Sequence, residues 1–77
     1  MERLPKLNEN VYIVTAADYG NIEILKGRVC GVREIDTAFA KYIFAVETAA
    51  GRFERFALDM FESVEDIANS IKQFVVE

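Results

Sequence analysis

Histidine and tryptophan are absent from this chain, and cysteine and proline occur once each. Without histidine there is no Ser-His-Asp or Cys-His catalysis and no imidazole metal site. One thiol cannot supply the nitrogen and sulfur ligands of a zinc site, so only carboxylates remain to hold a metal. Neither a metal nor a cofactor is expected. The lone cysteine, Cys30, cannot close an intrachain disulfide, which fits a reducing cytoplasm. Inside a strand it reads as a small buried hydrophobe, since a reactive thiol needs a cationic or helix-terminal setting. No apolar run approaches the ~18 residues of a membrane span, and the opening MERLPKLNEN lacks the apolar stretch of a secretory signal. The expectation is a cytoplasmic protein with no membrane partner.

What is present suffices for one small domain spanning residues 1–77. A chain of this size buries only about 60% of its unfolded surface, but 52% of its residues are hydrophobic. The net charge is −4, and it is spread unevenly. Residues 28–55 hold five basic and four acidic side chains, whereas residues 56–77 hold one basic and five acidic. Overall acidity argues against tight nucleic-acid binding, because phosphate contacts need clustered Lys and Arg. A local basic face in the middle of the chain remains compatible with it.

The pattern along the chain is mainly β with one helix at the end. NVYIVTA (10–16) is rich in β-branched and aromatic residues and predicts a strand. ADYGN (17–21) predicts a loop. Residues 21–35 predict a second strand, long for one strand and interrupted by Gly27 and Gly31. Glycines there predict a bend or bulge in a strand that belongs to two sheets or wraps around a small barrel. The plainer reading is that one of them lets a neighbouring side chain approach. Residues 42–48 alternate as a third strand, AAG (49–51) makes a three-residue hairpin loop, and 52–58 returns as a fourth. The spacing of Phe53, Phe56 and Leu58 breaks alternation, which predicts a bulge or a twist near Glu54–Arg55. ALDMF (57–61) supplies either a fifth strand or a single turn. Val64, Ile67, Ala68, Ile71, Phe74 and Val75 recur at helical spacing, predicting a helix over 63–74 with Ser63 as its N-cap. Four or five antiparallel strands in meander order cannot stay flat, so a partly open barrel capped by the amphipathic helix is expected.

LNENVYIV, ILKGRVCGVREI and YIFAVETAAGRFERFALDMFESVEDIANSI together resemble small bacterial and phage proteins with SH3-like barrels. In those proteins a phrase such as G-D-x-V-Y opens the barrel; the matching stretch here, Asn8 to Tyr12, lacks the glycine. Phe61 to Glu65 matches their F-x-S/T-x-E/D approach to a final helix. The resemblance implies an SH3-like fold, but such barrels host peptide, nucleic-acid and protein docking alike.

Four features carry candidate chemistry. Asp59, Glu62, Glu65 and Asp66 have an ordinary explanation in helix capping and the helix dipole, so no enzyme is expected. Arg28, Arg33, Lys41, Arg52 and Arg55 form either a basic strip for single-stranded nucleic acid or solvated residues paired with Glu34, Glu47 and Glu54 across strands. Tyr12, Tyr19, Phe39 and Tyr42 lie at or beside the first two loops, which border the binding groove of an SH3-like barrel. They form either an aromatic groove for a protein partner or plugs over the barrel mouth. Phe74, Val75 and Val76 make the last turn apolar, which suits a partner or a second copy, or is a frayed tail. The favoured expectation is a non-enzymatic protein–protein interaction module, with acidity steering it toward a basic partner surface. The alternative is a nucleic-acid-associated barrel.

Overall fold

A computed structural model describes the backbone of residues 3–16 and 20–74 and the side chains up to Ser70. Five strands run β1 (Asn10–Ala16), β2 (Ile22–Glu34), β3 (Tyr42–Thr48), β4 (Gly51–Arg55) and β5 (Met60–Phe61), followed by the helix α1 (Val64–Phe74). All strand pairs are antiparallel, in one open sheet of order β4-β3-β2-β1-β5. The mainly-β expectation with a C-terminal helix therefore holds. Among the described residues, no helix is long and apolar enough to cross a membrane.

The length of β2 follows from its double duty. Ile22–Arg28 pair with β1, and Gly27–Glu34 pair with β3. The two glycines sit where the strand passes from one partner to the other, and they do different things. A Cβ on Gly27 would lie 2.6 Å from Val46 Cγ1 and 2.8 Å from the Glu47 carbonyl oxygen. That position is reserved for close approach of β3. A Cβ on Gly31 would meet nothing nearer than 3.6 Å. Gly31 instead follows a register shift between Val29 and itself, with Cys30 as the extra residue of the bulge. Cys30 is half-buried, and its Sγ lies 3.6 Å from the Ala45 carbonyl oxygen.

The core collects one face of each strand. Val11, Ile13, Val29, Phe44, Val46 and Met60 are buried, with Leu25, Tyr42, Phe53 and Ala57 packed against them. Each fully buried aliphatic or aromatic side chain contributes about 1.5–3 kcal/mol by leaving water. Among the described side chains of the helix, Ile67 is the one that is fully buried, and the helix lies beside β5. Ser63 caps α1 as its position suggests, its Oγ accepting from the Asp66 N–H at 3.2 Å.

Three expectations need correction. The fourth strand does not run over 52–58 but ends at Arg55. No bulge interrupts it near Glu54–Arg55, because Ala45↔Glu54 and Phe44↔Arg55 continue the register from Val46↔Phe53. The broken alternation marks the end of the strand: Ala57–Asp59 form a 3-10 turn, and Met60–Phe61 form a short fifth strand against Tyr12 and Ile13. ALDMF is thus both turn and strand. The β3–β4 loop has two residues, since Thr48 pairs with Gly51. Gly51 adopts φ +127°, where a side chain is strained.

The segment before β1 is fastened at both ends. Asn8, at φ +68°, closes a turn in which the Glu9 N–H donates to the Lys6 carbonyl. Asparagine tolerates this left-handed conformation better than most side chains. The Asn8 N–H donates to the Val29 carbonyl and the Val29 N–H to the Glu9 carbonyl. Arg3 clamps Glu9 with two donors and reaches Glu62 Oε1 at 2.9 Å from Nε. The guanidinium, helped by the Lys6 N–H, holds the Glu9 carboxyl down to about 2.

Candidate functional site

The loop between β2 and β3 is built to project a side chain. The Ile35 N–H donates to the Lys41 carbonyl at 2.7 Å, which pins the base of the loop. Within it, the Thr37 hydroxyl donates to the Ala40 carbonyl at 2.7 Å and accepts from the Ala40 N–H at 3.1 Å. Phe39 lies inside this closed turn and is 74% exposed. It is not folded away as a plug. Its ring rests edge-on against Phe56, with centroids 5.4 Å apart and planes at 82°, a favoured aromatic geometry.

Across from the loop stands the 3-10 turn after β4. The Asp59 N–H donates to the Phe56 carbonyl and the Met60 N–H to the Ala57 carbonyl. Met60 is fully buried and anchors the turn, while Leu58, two residues earlier, is 71% exposed. Between loop and turn lies a groove of about 640 Å³. Its lining includes Phe39, Tyr42, Phe56 and Leu58, together with the buried Phe44 and the exposed Leu4. Tyr42 is half-buried, its ring 6.5 Å from that of Phe44. Lys41 and Asp59 are the charged residues of the lining. The volume falls in the range of small-molecule and short-segment sites. Three large apolar side chains exposed together, Leu4, Phe39 and Leu58, form a patch of the kind that marks contact surfaces.

The structure divides the aromatic set expected at the site. Phe39 and Tyr42 line the groove. Tyr12 does not: it is half-buried and pairs with Lys26 and Phe61, on the face of β1 opposite Val11 and Ile13. Tyr19 lies outside the described residues, as do the Phe74 side chain and Val75 and Val76. Leu4, Phe56 and Leu58 were not expected in the groove. The broken alternation after Phe53 was the available signal for the last two, because it released Phe56 and Leu58 from the strand.

The basic set is also divided. Arg28, Arg33 and Arg52 share the outer face of β2–β4, where Arg28 pairs across to Glu47 and Glu47 to Arg52. Arg33 Nη2 meets Glu54 Oε2 at 3.0 Å. Arg55 falls on the other face, its guanidinium 5.3 Å from the centre of the Phe53 ring and donating to the Glu54 carbonyl. Lys41 belongs to the groove lining. The five cations therefore do not make one strip. Two glutamates interrupt the three that share a face, and Glu34, the third expected partner, is opposite Tyr42.

Among the described residues, no three acidic or cysteine side chains lie together as a metal site would need. Comparison of the chain with protein families, with curated proteins and with solved structures returned no match in any of the three.

Proposed function

We propose that this chain is a non-enzymatic, SH3-like docking module that holds a segment of a partner protein in the groove between the β2–β3 loop and the 3-10 turn. The observation that carries the reading is the groove itself. Phe39 and Leu58 stand 74% and 71% exposed in the lining of a mainly apolar cleft whose turns are closed by hydrogen bonds. Leaving such side chains in water forgoes burial worth about 1.5–3 kcal/mol each, which a bound segment would recover. Because the loop is already ordered, little of that gain goes to ordering it on binding. The SH3-like description is supported by the sheet order, the bent second strand shared between two neighbours, and the 3-10 turn leading into a short last strand. Net acidity favours a partner with a basic surface around the docked segment. A cytoplasmic setting accords with the single half-buried thiol.

The nucleic-acid alternative draws less support. It needs clustered cations beside open aromatic faces. The three arginines that share a face alternate with Glu47 and Glu54, and Phe39, the exposed aromatic among the described residues, belongs to the groove instead.

A random peptide library displayed on phage, panned against the wild-type protein and against Phe39→Ser with Leu58→Ser, tests the proposal. Enrichment of a sequence class on the wild type alone is the expected result. Equal enrichment on both proteins, or none on either, would sink it. Titration with a fluorescent oligonucleotide serves as the competing arm, and tight binding lost on Arg28→Glu with Arg33→Glu would favour the alternative.

A further inference from the structure

The sheet is open, and β4 is one of its two edges. The hairpin register fixes which backbone groups that edge presents. Thr48 pairs with Gly51 across a two-residue turn, so this pair exchanges both of its backbone hydrogen bonds, and such pairs alternate from there. Gly51, Phe53 and Arg55 therefore direct their N–H and C=O groups toward β3. Arg52 and Glu54 direct theirs to the open edge. The side chains of Arg52 and Glu54 are exposed on the outer face, and Phe53 is half-buried on the other.

We infer that β4 pairs with β4 of a second copy of this chain, antiparallel, about a two-fold axis at Phe53. Three two-fold registers bring outward groups of both strands together. An axis at Arg52 sets that residue against its own symmetry mate, and an axis at Glu54 does the same for the carboxylate. Like charges directly opposite are destabilising. An axis at Phe53 sets Arg52 against the partner's Glu54 and Glu54 against the partner's Arg52. Each of these pairs then exchanges both backbone hydrogen bonds, with opposite charges above them. Phe53 meets the partner's Phe53 as a cross-strand aromatic pair. The charge row of one copy continues into the next: Arg28, Glu47, Arg52 and the partner's Glu54 alternate in sign across four neighbouring strands. The surface is self-complementary, as a closed two-fold dimer requires.

Charges on an edge strand ordinarily guard it against pairing. Here the alternation of sign keeps that guard against the other two registers and lifts it for one. The Arg55 side chain donates to the Glu54 carbonyl at 2.8 Å, but a carbonyl oxygen has two lone pairs and can accept the partner's N–H as well. The inference is independent of the groove, none of whose lining residues belongs to β4.

Sedimentation velocity over a concentration series tests it with four samples: wild type, Arg52→Glu, Glu54→Arg, and the two variants mixed in equal amounts. Each variant alone sets like charges opposite one another at both pairs, whereas the mixture restores opposite charges at both. The expected result is a wild-type dimer, association weakened at least ten-fold in each variant, and recovery in the mixture. A wild type that stays monomeric at millimolar concentration, variants that associate like wild type, or a mixture of folded variants that fails to recover would each overturn the inference. Glu54→Pro gives a check that leaves the charge row of β2–β3 intact. It removes an N–H directed at the edge and spares the β3 ladder, so association should fall while circular dichroism is unchanged; undiminished association would count against the pairing.

Discussion

Two surfaces of the same sheet are built from different chemistry. On the outer face of β2–β4, charges meet charges: Arg33 holds Glu54, and Glu47 stands between Arg28 and Arg52. In the groove between the β2–β3 loop and the 3-10 turn, apolar side chains stand in water with only one another for company. The lesson is that exposure alone does not mark a site. Exposed Arg33 is paired with Glu54, and Arg28 and Arg52 stand opposite Glu47 with their charges in water. Exposed Phe39 and Leu58 on an ordered frame are not satisfied in water, because burial is the only interaction that improves their situation.

The largest effect should come from the groove. Phe39→Ser with Leu58→Ser should weaken a groove-selected peptide by about 2 kcal/mol or more, as central aromatic contacts do. The same change should cost folding stability no more than about 1.5 kcal/mol, the range of the Phe39–Phe56 ring contact it removes. Isothermal calorimetry beside urea denaturation reads both, and a parallel loss of stability would mean that these side chains are structural.

The frame shared by both surfaces offers the next contrast. Gly27→Ala drives a methyl into Val46 and the Glu47 carbonyl and should cost about 1–3 kcal/mol by overpacking. Gly31→Ala, where a Cβ finds ordinary contacts at 3.6 Å, should stay within about 0.5 kcal/mol. Equal costs in urea denaturation would show that the bulge, rather than close approach, governs both positions.

On the outer face, Arg33→Ala should change stability by at most about 1 kcal/mol, since exposed ion pairs are screened. It should not alter peptide binding; a large loss of affinity would move the site to that face.

The smallest effect concerns the N-terminal clamp. The Glu9 carboxyl is held at about 2, below its ordinary 4.5, first by Arg3 and then by the Lys6 N–H. A carboxylate with a depressed folded value adds stability above the unfolded value and loses it as pH falls through the folded one. That contribution is present above about 4.5 and disappears toward about 2. The urea midpoint of Glu9→Gln should therefore fall less between those pH values than that of the wild type, and an identical fall would show that the clamp contributes nothing.

Much of the fold was legible because the signals were local. β-Branched and aromatic content in 10–16 and alternation in 42–48 marked β1 and β3, the length and glycines of 22–35 marked a long strand with a bend or bulge, and Ser63 with the spacing that follows marked α1. What was not legible depends on distant contacts. Met60–Phe61 is a strand only because Tyr12 and Ile13 lie beside it, and two residues carry no period. The same limit hid half of the groove. Phe39 and Tyr42 announced themselves as aromatics at a loop, but Phe56 and Leu58 read as continuations of β4 until the chain turned at Ala57. Leu4 reaches the groove from a segment fastened by Arg3 to Glu9 and Glu62, residues far apart in sequence. The basic strip failed for a related reason: Arg52 and Arg55 differ by an odd number, so an unbroken strand sends them to opposite faces.

On the proposed reading the groove, rather than the charged face, receives a partner. The most direct measurement is a titration of the isotope-labelled protein with a library-selected peptide, followed through its backbone amide resonances. Shifts concentrated in residues 35–42 and 56–59 are expected. Shifts centred on Arg28, Arg33 and Arg52, with Phe39 and Leu58 unmoved at saturation, would contradict that reading.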